Sequence, residues 1–104
     1  MSKEKAGTTA EPRTGSREEI QEPPLFRVFL LNDDYTTMDF VVHVLETIFH
    51  KTPAEATRVM LHVHKNGRGM CGVFPEDIAE MKVLAVHKLA RKHEFPLKSV
   101  MERE

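Results

Sequence analysis

The sequence predicts a single two-layer α/β domain in which helices pack on one face of a sheet. A nearly continuous apolar run and two later β-prone segments alternate with three segments whose apolar residues recur at helical spacing. Read in chain order, the elements are βααβαβ, an order typical of helices layered on one sheet. A length of 104 residues allows one compact domain with one modest core.

The domain is predicted to begin at residue 25, after an N-terminal tail. In residues 1–24, Ile20 is the only large apolar side chain after Met1. Such a segment cannot bury enough apolar surface to offset the entropy lost on ordering, so we expect a flexible tail. Residues 25–104 are assigned to the folded domain.

The first strand and the first helix are separated by turn-forming residues. Residues 25–31, LFRVFLL, predict a buried strand, and residues 32–35, NDDY, interrupt it. Thr36 or Thr37 can cap a helix. The apolar positions of that helix are Met38, Val41, Val42, Leu45, Ile48 and Phe49.

The start of the second helix carries the most specific local signals. Thr52, Pro53 and Glu55 supply an N-cap, a proline at the first helical position and the partner of a capping box. Asn66-Gly67 ends this helix. A strand over 68–74, a helix from about 75 to 92 and a short strand over 97–101 complete the predicted order.

Composition excludes several classes of function. Fifteen Lys and Arg residues against sixteen Asp and Glu give a net charge of −1, so we expect no nucleic-acid partner. The single cysteine, Cys71, excludes an intrachain disulfide and favours a reducing compartment. No apolar run approaches the roughly 18 residues of a membrane span, and no signal-peptide core is apparent.

Two places in the sequence carry candidate binding chemistry. Asn32, Asp33 and Asp34 concentrate hydrogen-bond acceptors beside a buried strand, an arrangement that suits an ammonium group or a metal; the alternative is ordinary turn chemistry. His64 shares a helix face with Met60 and could approach that turn across the sheet. A histidine bordering an apolar stripe can equally be structural.

Metal and hydrolase sites are not favoured. His62 and His64 lie about 200° apart around a helix and cannot bind one ion. No ligand spacing relates His43, His50, His87 and His93. There is no G-x-S-x-G elbow, H-E-x-x-H pair or phosphate-binding loop, and a thiol within an apolar strand is usually inert. We therefore expect no metal and no cofactor, and the motifs do not favour a hydrolase.

Several separated motifs resemble the ClpS family. Residues 31–41, LNDDYTTMDFV, resemble its hallmark NDDxT-x-M-x-FV, and residues 56–67 and 71–74 resemble its second and third blocks. Residues 79–83 and 95–97 complete a likeness that covers 25–101. The family implied is a non-enzymatic adaptor that recognises bulky first residues (Leu, Phe, Tyr, Trp) of N-degron substrates for the ClpA-type unfoldase of the ClpAP protease.

The resemblance implies specific roles. Asn32 and His64 would bind the substrate α-amino group, with Asp34 and Asp33 supplying negative potential or a water bridge. The side chains that would line the pocket for the first residue are Leu30, Thr36, Met38, Val41, Met60, Val63 and Leu97. Met38 would be the gate against β-branched residues. Asp77 and Lys82 match positions that dock on the unfoldase's N-terminal domain, and the tail would be engaged by the unfoldase.

The resemblance also implies a three-stranded antiparallel sheet packed against three helices, a monomer and a bacterial cytoplasmic location. The same element order resembles the C-terminal domain of ribosomal protein L7/L12, a different binding module that lacks an amine pocket. An acid–base hydrolase using Asp33, Asp34 and His64 is a third interpretation. The combination of Asn32–Asp34 with His64 favours the ClpS interpretation.

Overall fold

A computed structural model describes residues 22–104, so the tail predicted over residues 1–24 lies almost entirely outside the described residues. The elements are β1 (Leu25–Leu31), α1 (Met38–Thr47), α2 (Pro53–Asn66), β2 (Arg68–Pro75), α3 (Glu76–Lys92) and β3 (Lys98–Arg103). The predicted βααβαβ order is confirmed. Some boundaries differ by one or two residues: α1 ends before Ile48, β2 extends to Pro75, and β3 runs from Lys98 to Arg103 instead of over 97–101.

The three strands form one antiparallel sheet with β1 in the centre, in the order β2-β1-β3. Val28 and Leu30 of β1 are fully buried, as expected for the strand with the most continuous apolar run. The β1–β2 register shifts between Val28 and Phe29, so that Cys71 has no partner on β1. Burial raises the pKa of the Cys71 thiol to about 12, which keeps it in the unreactive protonated form.

The first two helices begin where their capping residues predict. The Thr37 hydroxyl accepts a hydrogen bond from the Phe40 N–H at 3.1 Å. Thr52 and Glu55 form a reciprocal capping box, with bonds of 3.0 and 3.2 Å. These caps satisfy backbone donors that a helix cannot satisfy internally, so they fix the residues at which α1 and α2 start.

The core lies between the sheet and the helices. It contains one continuous cluster of buried side chains. Its largest fully buried members are Leu30, Leu45, Val28, Val44, Val86 and Cys71. None of the helices within residues 22–104 is long and apolar enough to span a bilayer.

Gly67 forms the corner between α2 and β2. Its φ of 89° is left-handed, a conformation that glycine adopts without the steric penalty of a Cβ. Its N–H donates to the Val63 carbonyl at 2.9 Å, and its own carbonyl accepts from the Asn32 N–H at 2.8 Å. Two residues on, a Cβ at Gly69 would lie 2.7 Å from Val63 Cγ2. The corner therefore holds the end of β1 close to the C-terminal turn of α2.

Strand β3 is fixed to its neighbours by a buried serine. The Ser99 hydroxyl donates to the Phe29 carbonyl at 2.8 Å, and the Ser99 N–H donates to His87 Nε2 at 2.9 Å. The histidine therefore accepts the outward-facing N–H of an edge strand, which is one way a protein blocks pairing with another strand.

Candidate functional site

A cavity of about 220 Å³ opens between the end of β1, the start of α1 and the C-terminal half of α2. Its walls combine acidic, amide, imidazole and apolar groups. The lining residues are Asn32, Asp33, Asp34, Thr36, Met38, Val41, Met60, Val63 and His64. All of them belong to the site predicted from the sequence.

The Gly67 corner brings the two polar parts of the cavity together. Asn32 directly follows β1, and its backbone N–H is bonded to the Gly67 carbonyl. His64 lies three residues before Gly67, in the last turn of α2. A turn and a helix end that are more than 30 residues apart in sequence therefore border one opening.

The floor of the cavity is apolar and rigid. Val41 of α1 and Met60 and Val63 of α2 are 7%, 9% and 2% exposed and belong to the core. Met38, the first residue of α1, is 44% exposed at the rim. Because the floor side chains are held by core packing, the cavity is formed before any ligand arrives.

The polar rim offers acceptors that no other residue of the described part of the chain uses. Within residues 22–104, no hydrogen bond engages the side chains of Asn32, Asp34 or His64. The lining includes two carboxylates but no lysine or arginine. The local potential is therefore negative, and the opening suits a small cation that carries several N–H donors.

Asp33 differs from Asp34 in how its carboxylate is used. Oδ1 accepts from the backbone N–H groups of Tyr35 and Thr36 at 2.8 and 2.7 Å, and Oδ2 accepts from the Thr36 hydroxyl at 2.7 Å. Burial raises the pKa of Asp33, but the bonds from Thr36 and Tyr35 outweigh it and leave the pKa below its ordinary value. Asp33 therefore stabilises the turn, as the interpretation of these residues as turn formers predicts. It also lines the cavity.

Two residues predicted for the pocket do not line it. Leu30 is fully buried because strand alternation directs it with Val28 into the core. Leu97 is 3% exposed and lines a separate groove between α3 and β3. Both expectations rested on the family resemblance, and neither contact with the cavity is present in this chain.

The residues predicted to dock on a partner lie on α3, at a second groove of about 400 Å³. The groove separates the end of α1 from the first half of α3, and Ile78 and Met81 are exposed beside it. Its lining is Thr47, Ile48, His50, Ile78, Met81, Lys82 and Ala85. Asp77 lies next to this lining at the start of α3, where its carboxylate accepts from the Ile78 N–H.

Within residues 22–104, no group of three or more metal-ligating side chains occurs. The fold nevertheless brings His43 of α1 and His93 at the end of α3 to a ring separation of 6.5 Å, both against Phe40. Sequence reasoning missed this pair because it depends on how two helices pack, and residue spacing along the chain carries no sign of it.

Comparison with known proteins places the chain among adaptors. Residues 21–100 match the family model described as ATP-dependent Clp protease adaptor protein ClpS. The ATP-dependent Clp protease adapter protein ClpS of Acetivibrio thermocellus is 56% identical over 83% of this chain and 87% of its own. The protein of the same name from Hyphomonas neptunium is 52% identical over 94% of this chain and 83% of its own.

A solved structure agrees with the fold. Agrobacterium tumefaciens ClpS2, solved bound to L-phenylalaninamide, superposes with a TM-score of 0.77 at 38% identity. The match covers 80% of this chain and all of the other. The predicted fold class, three helices on a three-stranded antiparallel sheet, is confirmed both by this likeness and by the element order.

Replacing Asp33 with Ala should destabilise the free protein, whereas Asp34→Ala should not. The first change removes the acceptor of three hydrogen bonds, and we expect the free energy of unfolding at pH 7 to fall by about 1–2 kcal/mol. Because the folded-state pKa of Asp33 is lowered, its stabilisation is complete above the unfolded value of 3.8 and is lost as the pH falls through the folded value.

Urea unfolding followed by circular dichroism, at pH 7 and again below pH 3.8, measures both effects. The difference between wild type and Asp33→Ala should shrink at the lower pH. Equal losses for the Asp33 and Asp34 variants at pH 7 would contradict the assignment of the turn to Asp33.

Proposed function

The chain belongs to the ClpS family of ATP-dependent Clp protease adaptor proteins, and on that premise we propose that its cavity captures the free α-amino end of a substrate protein. Its relatives are named as adapters and not as enzymes. The observation that carries the proposal is the convergence of Asn32, Asp34 and His64 over an apolar floor, with their side-chain acceptors unbonded among residues 22–104. No covalent step is required.

The rim discriminates a chain end from an internal residue. A terminal ammonium is a cation with three donors, so it can satisfy several converging acceptors at once. An internal residue offers one neutral N–H. It would leave the other acceptors desolvated and unpaired, at about 1–3 kcal/mol for each group. The penalty for unpaired acceptors therefore excludes internal segments from the cavity.

Each rim residue has a distinct part in binding the amine. Asn32 accepts through its side-chain oxygen, and neutral His64 accepts through a ring nitrogen. Asp34 supplies negative potential, directly or through a bridging water. The carboxylate of Asp33 adds negative charge to the site. It also stabilises the turn, because its oxygens accept hydrogen bonds from Tyr35 and Thr36.

The apolar floor receives the first side chain. Burying one large apolar side chain on Val41, Met60 and Val63 contributes about 1.5–3 kcal/mol. The cavity is smaller than the roughly 300–1,000 Å³ usual for drug-sized ligands, which fits one side chain and its amine. The related ClpS2 structure was solved with bound L-phenylalaninamide, a free amine carrying an aromatic side chain, which supports Phe as a first residue. The proposal extends this preference to Leu, Tyr and Trp, whose side chains are also bulky.

The proposal includes delivery to a ClpA-type unfoldase through its N-terminal domain. The relatives' names specify an ATP-dependent Clp protease as the partner system. The groove between α1 and α3 offers the exposed side chains of Ile78 and Met81 for contact, with Asp77 and Lys82 beside them. The protein acts as a monomer in the bacterial cytoplasm, and the tail before residue 25 is the segment that the unfoldase engages.

Peptides that differ only in the α-amine or in the first residue test amine capture. Affinity for a labelled ten-residue peptide beginning with Phe, measured by fluorescence anisotropy, should fall at least about tenfold when its α-amine is acetylated, since acetylation removes the charge and two donors. A peptide with Ala at position one should also bind more weakly. Equal affinity for free and acetylated peptides would contradict the proposal.

Met38 is proposed to exclude β-branched first residues, because such side chains are wide next to the backbone. Replacing it with Ala should widen the rim and raise affinity for Val- or Ile-starting peptides by about tenfold, because the substitution removes one steric clash. Met81→Ala, which changes an exposed methionine outside the cavity, is the matched control. Continued rejection of Val by a Met38→Ala protein that binds Phe normally would show that Met38 is not the gate.

A further inference from the structure

The cavity contains two methionine sulfurs that differ in their access to solvent. Met38, the first residue of α1, is 44% exposed at the rim, whereas Met60 on the floor is 9% exposed. Met60 belongs to the core cluster, together with Val41 and Val63. A dissolved oxidant therefore reaches the sulfur of Met38 far more readily than that of Met60.

The other sulfur atoms within residues 22–104 lie outside the cavity. Cys71 is buried, and burial raises the pKa of its thiol to about 12, so this residue supplies no reactive thiolate. Met70 and Met81 are exposed, but each lines a different groove. Among the exposed sulfurs of the described residues, Met38 is therefore the one whose oxidation changes the wall of the cavity.

A peroxide oxidises methionine in one balanced two-electron step. The thioether sulfur attacks one peroxide oxygen, the O–O bond breaks, and the products are a sulfoxide and water. The side chain changes from a flexible apolar group into a polar group with an acceptor oxygen. Methionine sulfoxide reductases reverse the change.

The lining of the cavity gives a sulfoxide oxygen at Met38 few donors. It includes the carboxylates of Asp33 and Asp34, which are acceptors themselves, and no lysine or arginine. The Thr36 hydroxyl already donates to Asp33. The sulfoxide oxygen would therefore stay bonded to water at the mouth of the cavity. A bulky apolar side chain that enters past it displaces this water without replacing its hydrogen bonds, which costs binding free energy.

We propose that Met38 is a reversible redox switch for substrate capture: its oxidation by a peroxide weakens the binding of bulky apolar first residues, and its reduction restores that binding. The inference rests on the proposed function, because it concerns regulation of the same cavity. It leaves the amine-binding side chains of Asn32 and His64 chemically unchanged. It also leaves the core unchanged, because Met38 lies at the rim and outside the core cluster.

Peptide affinity before and after treatment with hydrogen peroxide tests the switch. The wild-type protein should lose at least about fivefold in affinity for the Phe-starting peptide, near the low end of the cost of one unbonded polar group, and the reductases should restore the loss. Met38→Leu, which has a similar volume and no sulfur, should have the same affinity before and after peroxide. A protein with both Met70→Leu and Met81→Leu should lose affinity as the wild type does.

Peptide mapping by mass spectrometry follows the sulfur atoms directly. Saturating Phe-starting peptide should slow the oxidation of Met38 and leave that of Met81 unchanged, because the bound side chain covers only the rim. An oxidised Met38 with unchanged affinity, or an equal loss in Met38→Leu, overturns the inference and leaves the proposed function standing. A reduced wild-type protein that does not bind the peptide contradicts the proposed function, and the inference with it.

Discussion

One backbone hydrogen bond, from the Asn32 N–H to the Gly67 carbonyl at 2.8 Å, determines where the functional part of this domain can form. It closes the β1–β2 edge at the point where β1 ends and α2 turns into β2. The left-handed φ of 89° at Gly67 makes that turn possible in a single residue. Asn32–Asp34 and His64 are neighbours in space because of this corner. Neither sequence segment by itself indicates that the two lie close together.

Helix caps, the β1–α1 turn and core packing fix the elements around this corner. Thr37 and the Thr52–Glu55 box fix the starts of α1 and α2, and Asp33 folds the turn between β1 and α1. The cavity floor is core, so the same packing that stabilises the fold shapes the pocket. Helix α1 has its first residue at the cavity rim and its C-cap beneath Lys82, so one rigid element borders both proposed binding surfaces.

Much of this was predictable because the relevant signals are local. Caps, the glycine stop and apolar periodicity depend on a few neighbouring residues, and they predicted the element order and most boundaries to within two residues. The cavity lining was predicted from a family resemblance. What the sequence did not indicate depends on tertiary geometry: the inward direction of Leu30, the separate groove of Leu97, the carbonyl bonded by Lys82 and the approach of His43 to His93. None of these has a signature in residue spacing.

The central claim is that Asn32 and His64 bind the same ammonium group, and a double-mutant cycle tests it most directly. Affinities of wild type, Asn32→Ala, His64→Ala and the double variant would be measured for one Phe-starting peptide with a free and with an acetylated amine. The two substitutions should be non-additive for the free amine, with a coupling free energy of about 1 kcal/mol or more, and additive for the acetylated peptide. Additive losses with the free amine, or the same coupling with both peptides, would contradict the claim.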